Sequence, residues 1–139
     1  LAFPDNHYDV VFSNSVIEHV GSWQDQQAFA REARRLGKKL WIQTPAKEFF
    51  IEPHYLAVFV HWLPKGAQKK LLRYCSLWGV LARPSPERIA ELVEEIRLLT
   101  LREMKSLFPD CQIIKERFLF VFVKSYTAYR GEEDERASD

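Results

Sequence analysis

Cysteine is scarce in this chain. Cys75 and Cys111 are the only two, and they form no Cys-x-x-Cys spacing. That excludes a disulfide framework and a zinc knuckle, and it points to a reducing, cytoplasmic setting. Five glycines and seven prolines in 139 residues are too few for a collagen-like or linker-like chain. Long apolar runs are also missing. The longest, Tyr55–Val60 and Phe118–Val123, fall far short of the roughly 20 residues that a membrane helix needs. No charged start leads into an apolar stretch, so no signal peptide is expected.

What is present is ordinary for one globular domain. Hydrophobic residues make up 47% and charged residues 28% of a 16.4 kDa chain. A chain of this length buries roughly two-thirds of its unfolded surface, enough for a real core. The net charge of +1 hides an asymmetry. Residues 132–139 hold five acids and one Arg, a net of −4, which leaves +5 for the rest. The acidic tail, residues 131–139, has almost nothing to bury and is expected to be disordered. A body at +5 is too mildly basic to imply nucleic acid.

The pattern along the chain alternates between strand and helix signals. Tyr8–Asn14 contains three contiguous β-prone residues, Val10-Val11-Phe12, which predicts a strand buried on both faces. Ser22-Trp23-Gln24-Asp25 forms a capping box, and a helix is expected to about Leu36 with Phe29, Ala33 and Leu36 on one stripe. Gly37 is expected to end it in a left-handed turn. Lys39–Thr44 reads as a second buried strand closed by Pro45, which completes one βαβ unit with parallel strands. An aromatic- and proline-rich stretch follows over residues 46–84. It contains a predicted helix Lys65–Ser76 with Ala67, Leu71 and Cys75 on its apolar side. Ser85-Pro86-Glu87 opens another helix, with Ser as cap and Pro in the first turn. Thr100–Glu103 is a further capping box, and Phe108-Pro109-Asp110 stops its short helix. Cys111–Arg117 and Leu119–Tyr129 are strand-like and too close for a crossover, so they are expected to pair antiparallel.

The opening residues resemble a known family. Leu1-Ala2-Phe3-Pro4-Asp5-Asn6-His7-Tyr8-Asp9-Val10-Val11-Phe12 and the following Glu18-His19 are similar to the middle of class I S-adenosylmethionine-dependent methyltransferases (type 11-like). That family has a Leu-Pro-Phe-like triplet, a Pro-Asp turn, an aromatic-Asp pair opening a strand, and a Glu-His pair. Ala2 stands where Pro is usual. Looser likeness continues through Glu32–Arg35, Leu107-Phe108-Pro109 and Lys124-Ser125. The resemblance implies a partial Rossmann-like α/β sheet, equivalent to the family's last four strands with the final one antiparallel, plus a helical aromatic-rich insertion. The family's Gly-rich cofactor turn is absent, since Gly21, Gly37, Gly66, Gly79 and Gly131 contain no Gly-x-Gly. The chain is therefore expected to be a fragment, the C-terminal half of such a domain. Residues 1–130 would form that half, with an insertion or lid over about 46–97.

The same resemblance implies the site. Leu1, Ala2 and Phe3 would flank the adenine of S-adenosylmethionine. Ser13, Asn14 and Ser15, at a strand's carboxyl end, would lie beside its methionine part, where open α/β sheets take ligands. His19, His54 and Tyr55 are the candidate catalytic groups. An imidazole can take a proton from an acceptor, although Glu18-His19 more often shapes the helix entry in related enzymes. His54, Tyr55 and Trp62 would offer a mixed apolar and hydrogen-bonding lid. His54 and His61 are seven apart, not the three or four that bring ligands onto successive turns, so no metal is expected. The basic runs Arg31–Lys39 and Lys65–Arg73 read as solvated helix faces. The expected function is methyl transfer to O, N or C of a small molecule, with no nucleic-acid or membrane partner. The chain alone is expected to be inactive, with self-association through the unpaired strand 8–14. The alternative is a non-catalytic half-domain that serves as an interaction module.

Overall fold

Among the described residues, the strand nearest the start of the chain forms one edge of the main sheet. In a computed structural model, which describes residues 3–52 and 57–131, β1 (Tyr8–Asn14) pairs in parallel with β2 (Gly37–Pro45). Between them lies α1 (Trp23–Leu36). The last two strands, β5 (Gln112–Phe118) and β6 (Phe122–Arg130), form an antiparallel hairpin, and β6 also pairs antiparallel with β2. The sheet order is β1-β2-β6-β5. The expected mixed α/β architecture is therefore present, with one parallel pair from the βαβ unit and two antiparallel pairings after it.

One face of this sheet is the core. Leu40 and Ile42 on β2, and Tyr126 and Ala128 on β6, pack under α1 and under α5 (Leu101–Leu107) together with Phe108. The other face is covered at Ser125 and Thr127 of β6, which are buried, and open around Phe12. Phe12, Trp41 and Tyr129 are adjacent across three strands by register, and Phe12 is 67% and Trp41 40% exposed. Double-sided burial of β1 is thus corrected. Contiguous Val-Val-Phe marks a strand, but which faces are covered depends on what packs there.

Helix α1 begins as expected. Ser22 and Asp25 complete a reciprocal capping box, and the buried stripe is Gln26, Ala30, Ala33 and Leu36. Its end differs from expectation. Gly37 is extended, at φ −100° and ψ 135°, and enters β2 directly. The final carbonyls are served instead by Arg130, whose Nη2 donates to Arg34 O at 3.0 Å and also to Gly37 O. Glycine is required there by space, because a Cβ would sit 2.8 Å from Val11 Cγ2.

A second apolar cluster lies after β2. A two-stranded ribbon, β3 (Ile51–Glu52) with β4 (Ala57–Val58), leads to a 3-10 turn over Val60–Trp62. Then come α2 (Lys65–Cys75), α3 (Leu77–Ala82) and α4 (Pro86–Glu95), packed on Ala57, Leu72, Ile89 and Val93. Ser85 caps α4 and Pro86 opens it, as the sequence predicts. The face of α2 is corrected: Gln68 and Leu72 are inside, whereas Leu71 and Cys75 are exposed. Gln68 can be buried because its amide donates to Leu63 O at 2.8 Å and to His61 O at 3.3 Å. The final hairpin turn is also corrected, to Leu119–Val121 rather than Phe118.

Candidate active site

The carboxyl ends of β1 and β2 lie side by side, with Ser13 opposite Ile42 and Asn14 opposite Gln43. Chain direction changes at Ser15, which holds a left-handed φ of 54° and donates its N–H to Gln43 O at 3.0 Å. Left-handed geometry is costly for a residue with a Cβ, so this tight corner is held by its surroundings. Ser15 Oγ donates to Asn14 Oδ1 at 3.3 Å. Ser13 is buried and its Oγ has no hydrogen-bond partner among the described residues. Below this turn a groove of about 540 Å³ runs between β1 and α1, lined by Val11, Ser13, Asn14, Phe29 and Glu32 among others. The groove is largely apolar, with its polar groups at the strand end.

The next turn, Ile17–His19, is tied to the end of β2. Glu18 is fully buried and accepts from Thr44 Oγ1 at 2.8 Å. His19 Nδ1 lies 3.6 Å from Glu95 Oε1 on α4. A polar network continues behind it. Arg97 donates its backbone N–H to Glu18 O, and its guanidinium to Gln26 Oε1 and Glu103 Oε1, both at 2.5 Å. Its carbonyl accepts from Gln26 Nε2 at 2.9 Å, and its cationic carbon stands 4.9 Å over the Trp23 ring. Burial opposes ionisation of Glu103, but hydrogen bonds from Thr100 and Arg97 outweigh it and hold its pKa low. The network fixes the turn after β1 against α1 and α5.

The loop after β2 is anchored from both sides. Lys47 N–H donates to Leu99 O at 3.0 Å. Lys47 O accepts from Trp62 Nε1 at 2.9 Å and lies 3.1 Å from His61 Nε2. A cleft of about 320 Å³ opens there, between Lys47, Trp62, Lys65 and Arg97. Glu48 accepts from Tyr126 Oη at 2.8 Å and from the N–H of Leu101. Burial, reinforced by the Glu48 carboxylate, raises the Tyr126 phenol above its ordinary value of 10.0. A folded pKa raised above the unfolded one means that this stabilisation is present below about pH 10 and is lost as pH rises beyond it. Tyr126→Phe is therefore expected to lower the melting temperature at neutral pH and to flatten the alkaline decline. Thermal melts from about pH 8 to about pH 11 check this; parallel declines in the two proteins would refute it.

The structure brings Ser13, Asn14 and Ser15 together at one strand end, with His19 in the following turn. Phe3 is elsewhere. It stacks on His7 at 4.9 Å, beside the amino end of β1. It is separated from Ser13–Ser15 by the strand itself, roughly 20 Å at about 3.3 Å per residue. Leu1, Ala2, His54 and Tyr55 lie outside the described residues, as does the acidic tail from residue 132. Among the described residues no group of three or more His, Cys, Asp or Glu is placed to hold a metal ion. Sequence reading placed Thr44 at a strand's carboxyl end but missed its bond to Glu18, and it missed Glu48, Arg97 and Tyr126. Their partners are far off in the chain, and no local spacing marks them.

Residues 1–40 match the family model described as Methyltransferase domain. The match spans β1, the Ser13–Ser15 turn, α1 and the first residues of β2. No curated protein matches the chain. The match covers 40 of the 139 residues, and the mixed α/β sheet is compatible with a methyltransferase-type domain.

Proposed function

We propose that the protein transfers a methyl group from S-adenosylmethionine to an oxygen, nitrogen or carbon of a small molecule. The observation that carries this reading is the methyltransferase-domain match over residues 1–40, a span that includes the strand-end turn Ser13–Ser15. The residues present suit one side of such a donor. Ser13 Oγ is buried without a partner among the described residues, and the exposed Asn14 amide stands at the groove mouth. The donor would supply a methyl already activated on a sulfonium, with a neutral thioether as leaving group. What falls to the chain is alignment and exclusion of water. Ser13 and Asn14 would orient the methionine part. His19, together with His54 and Tyr55, would face the acceptor and take its proton where it still holds one. Trp62, anchored through Lys47 O, would cover the acceptor side.

A methyl-transfer assay of the full-length protein tests the placement. Asn14→Ala, or a bulky residue at position 13, is expected to reduce turnover or donor binding at least tenfold, and Lys69→Ala less than twofold. Lys69 pairs with Glu94 on the helical lobe, away from the strand ends. Equal losses would move the site.

A second reading, a non-catalytic module that pairs with another chain, is favoured by one observation. The outer edge of β1 pairs with no strand among the described residues, and Val10 and Phe12 beside it are exposed. Such an edge invites pairing. Light scattering is expected to show association that Phe12→Lys weakens. A monomer at all concentrations would leave this reading without support.

A further inference from the structure

Between Glu52 and Glu87 the chain carries five cations and no acid. In the fold this stretch supplies β4, the Val60–Trp62 turn, α2 and α3. Only one side of α2 and α3 is buried, through Gln68, Leu72 and Gly79. The outer side is apolar and open. Leu77 and Val80 are more than half exposed, and Tyr74 and Leu81 each reach 74%. Two of the cations, Lys65 and Lys69, are paired with Glu94 at 2.6 and 2.9 Å. Arg73 and Arg83 have no ion-pair partner among the described residues. With Tyr74, Gly79 and Val80 they border a surface cleft of about 360 Å³. Two guanidinium groups beside a phenol suit phosphate oxygens.

This surface continues toward the final hairpin. A bridge between Ala57 and Ser76 joins the α2–α3 corner to β4. Phe59 follows β4, with its ring 6.2 Å from Phe50, and Phe50 meets Phe122 at 4.9 Å. Phe122 stands at the base of the β5–β6 turn, whose tip, Leu119-Phe120-Val121, is apolar and protruding; Phe120 is 92% exposed. Leu119 and Phe120 hold positive φ values of 49° and 60°, positions that hairpin turns normally give to Asn or Gly. The backbone is strained to keep two large apolar side chains in solvent. Lys115, Arg117 and Lys124 flank the tip; Lys124 is paired with Glu116 at 3.2 Å, and Arg117 donates to Phe120 O at 3.3 Å.

We propose that α3, the outer side of α2 and the β5–β6 tip dock on an anionic phospholipid bilayer. Leu77, Leu81 and Phe120 would enter the boundary between headgroups and acyl chains, and Arg73 and Arg83 would hold lipid phosphates. Cations interleaved with Leu and aromatic residues on a short helical unit are the mark of an element that lies in the interface. A protein partner fits less well, since the outer side of α3 is built from Leu77, Val80 and Leu81, residue types under-represented among the anchors of protein interfaces. Nucleic acid would leave the apolar tip without a partner. No helix among the described residues is long and apolar enough to cross a membrane. The proposal departs from the sequence expectation of no membrane partner, and this docking needs no spanning segment.

Sedimentation of the whole chain with vesicles tests the proposal. Vesicles of phosphatidylcholine containing about 30 mol% phosphatidylglycerol are expected to bind at least tenfold more chain than phosphatidylcholine alone, and added salt is expected to release it. Replacing Arg73 and Arg83 by Gln is expected to weaken anionic binding by roughly fivefold per charge. Leu77→Asp with Leu81→Asp is expected to weaken it at least tenfold. Circular dichroism checks that each variant folds. Should the helical variants unfold, Phe120→Ser, at a fully solvated turn, carries the test and must also weaken binding. No binding to anionic vesicles, equal binding to neutral ones, or wild-type binding by the folded variants would overturn the proposal. So would a dimer abolished by Leu81→Asp in a chain that ignores vesicles.

Discussion

S-Adenosylmethionine added to the purified chain is expected to bind only in the millimolar range or weaker. The 139 residues contain no Gly-x-Gly at which a backbone could close on the donor's amino-acid end. What they do offer is one wall, the Ser13–Ser15 turn and the mostly apolar groove below it. Hydrogen bonds to charged groups contribute about 1.5–3 kcal/mol each. Doing without two of them costs roughly 3–6 kcal/mol, a factor of about 10² to 10⁴ in affinity. Isothermal titration checks this. Micromolar binding by a monomeric chain would show that the groove needs no glycine turn, and the family reading of the site would have to be redrawn.

The largest expected loss of stability comes from one methyl group. Gly79→Ala would place a Cβ 2.1 Å from Leu72 O and 2.8 Å from Arg73 Cα. Both are backbone atoms of α2, which cannot rotate out of the way. The same corner is fixed by Ser76, whose Oγ donates to Leu72 O at 2.5 Å and accepts from Gly79 N–H at 2.8 Å. A destabilisation of about 3 kcal/mol is expected, at the upper end for overpacking. Gly66→Ala is the control. It lies in the first turn of α2 with nothing within 4 Å of the added Cβ, and is expected to be neutral or stabilising by up to about 1 kcal/mol. Urea unfolding followed by far-ultraviolet circular dichroism separates the two. Equal midpoints would contradict the close approach of α2 and α3.

Local signals carried much of the fold. The bounds of β1 are those read from Tyr8 and Asn14, because strand propensity and the flanking turn residues act within a few positions. The capping boxes at Ser22 and Thr100 formed because each is closed by its own side chains. Failure began where a residue's role depends on distant partners. Gly37 looks like a helix stop in sequence. In space it is a strand residue pressed on Val11, while Arg130 satisfies the helix end from 93 positions away. The face of α2 was misread because an amide, Gln68, is buried where carbonyls meet it, which an apolar count cannot register. The candidate site divides in the same way. Ser13–Ser15 follows from the end of a strand, whereas the Glu48–Tyr126 and Glu18–Thr44 contacts exist only once the sheet is assembled.

The central claim is that the donor meets the chain at the carboxyl ends of β1 and β2. Nuclear magnetic resonance of the isotope-labelled chain, titrated with S-adenosylmethionine to millimolar concentration, reads this residue by residue even when binding is weak. The account predicts saturable shifts of the backbone amides of Ser13, Asn14 and Ser15 and of Gln43 and Thr44 beside them, lost in Asn14→Ala, with the amides of α2 and α3 unmoved. Shifts confined to the helical lobe, or none at the strand ends at saturating donor, would contradict it.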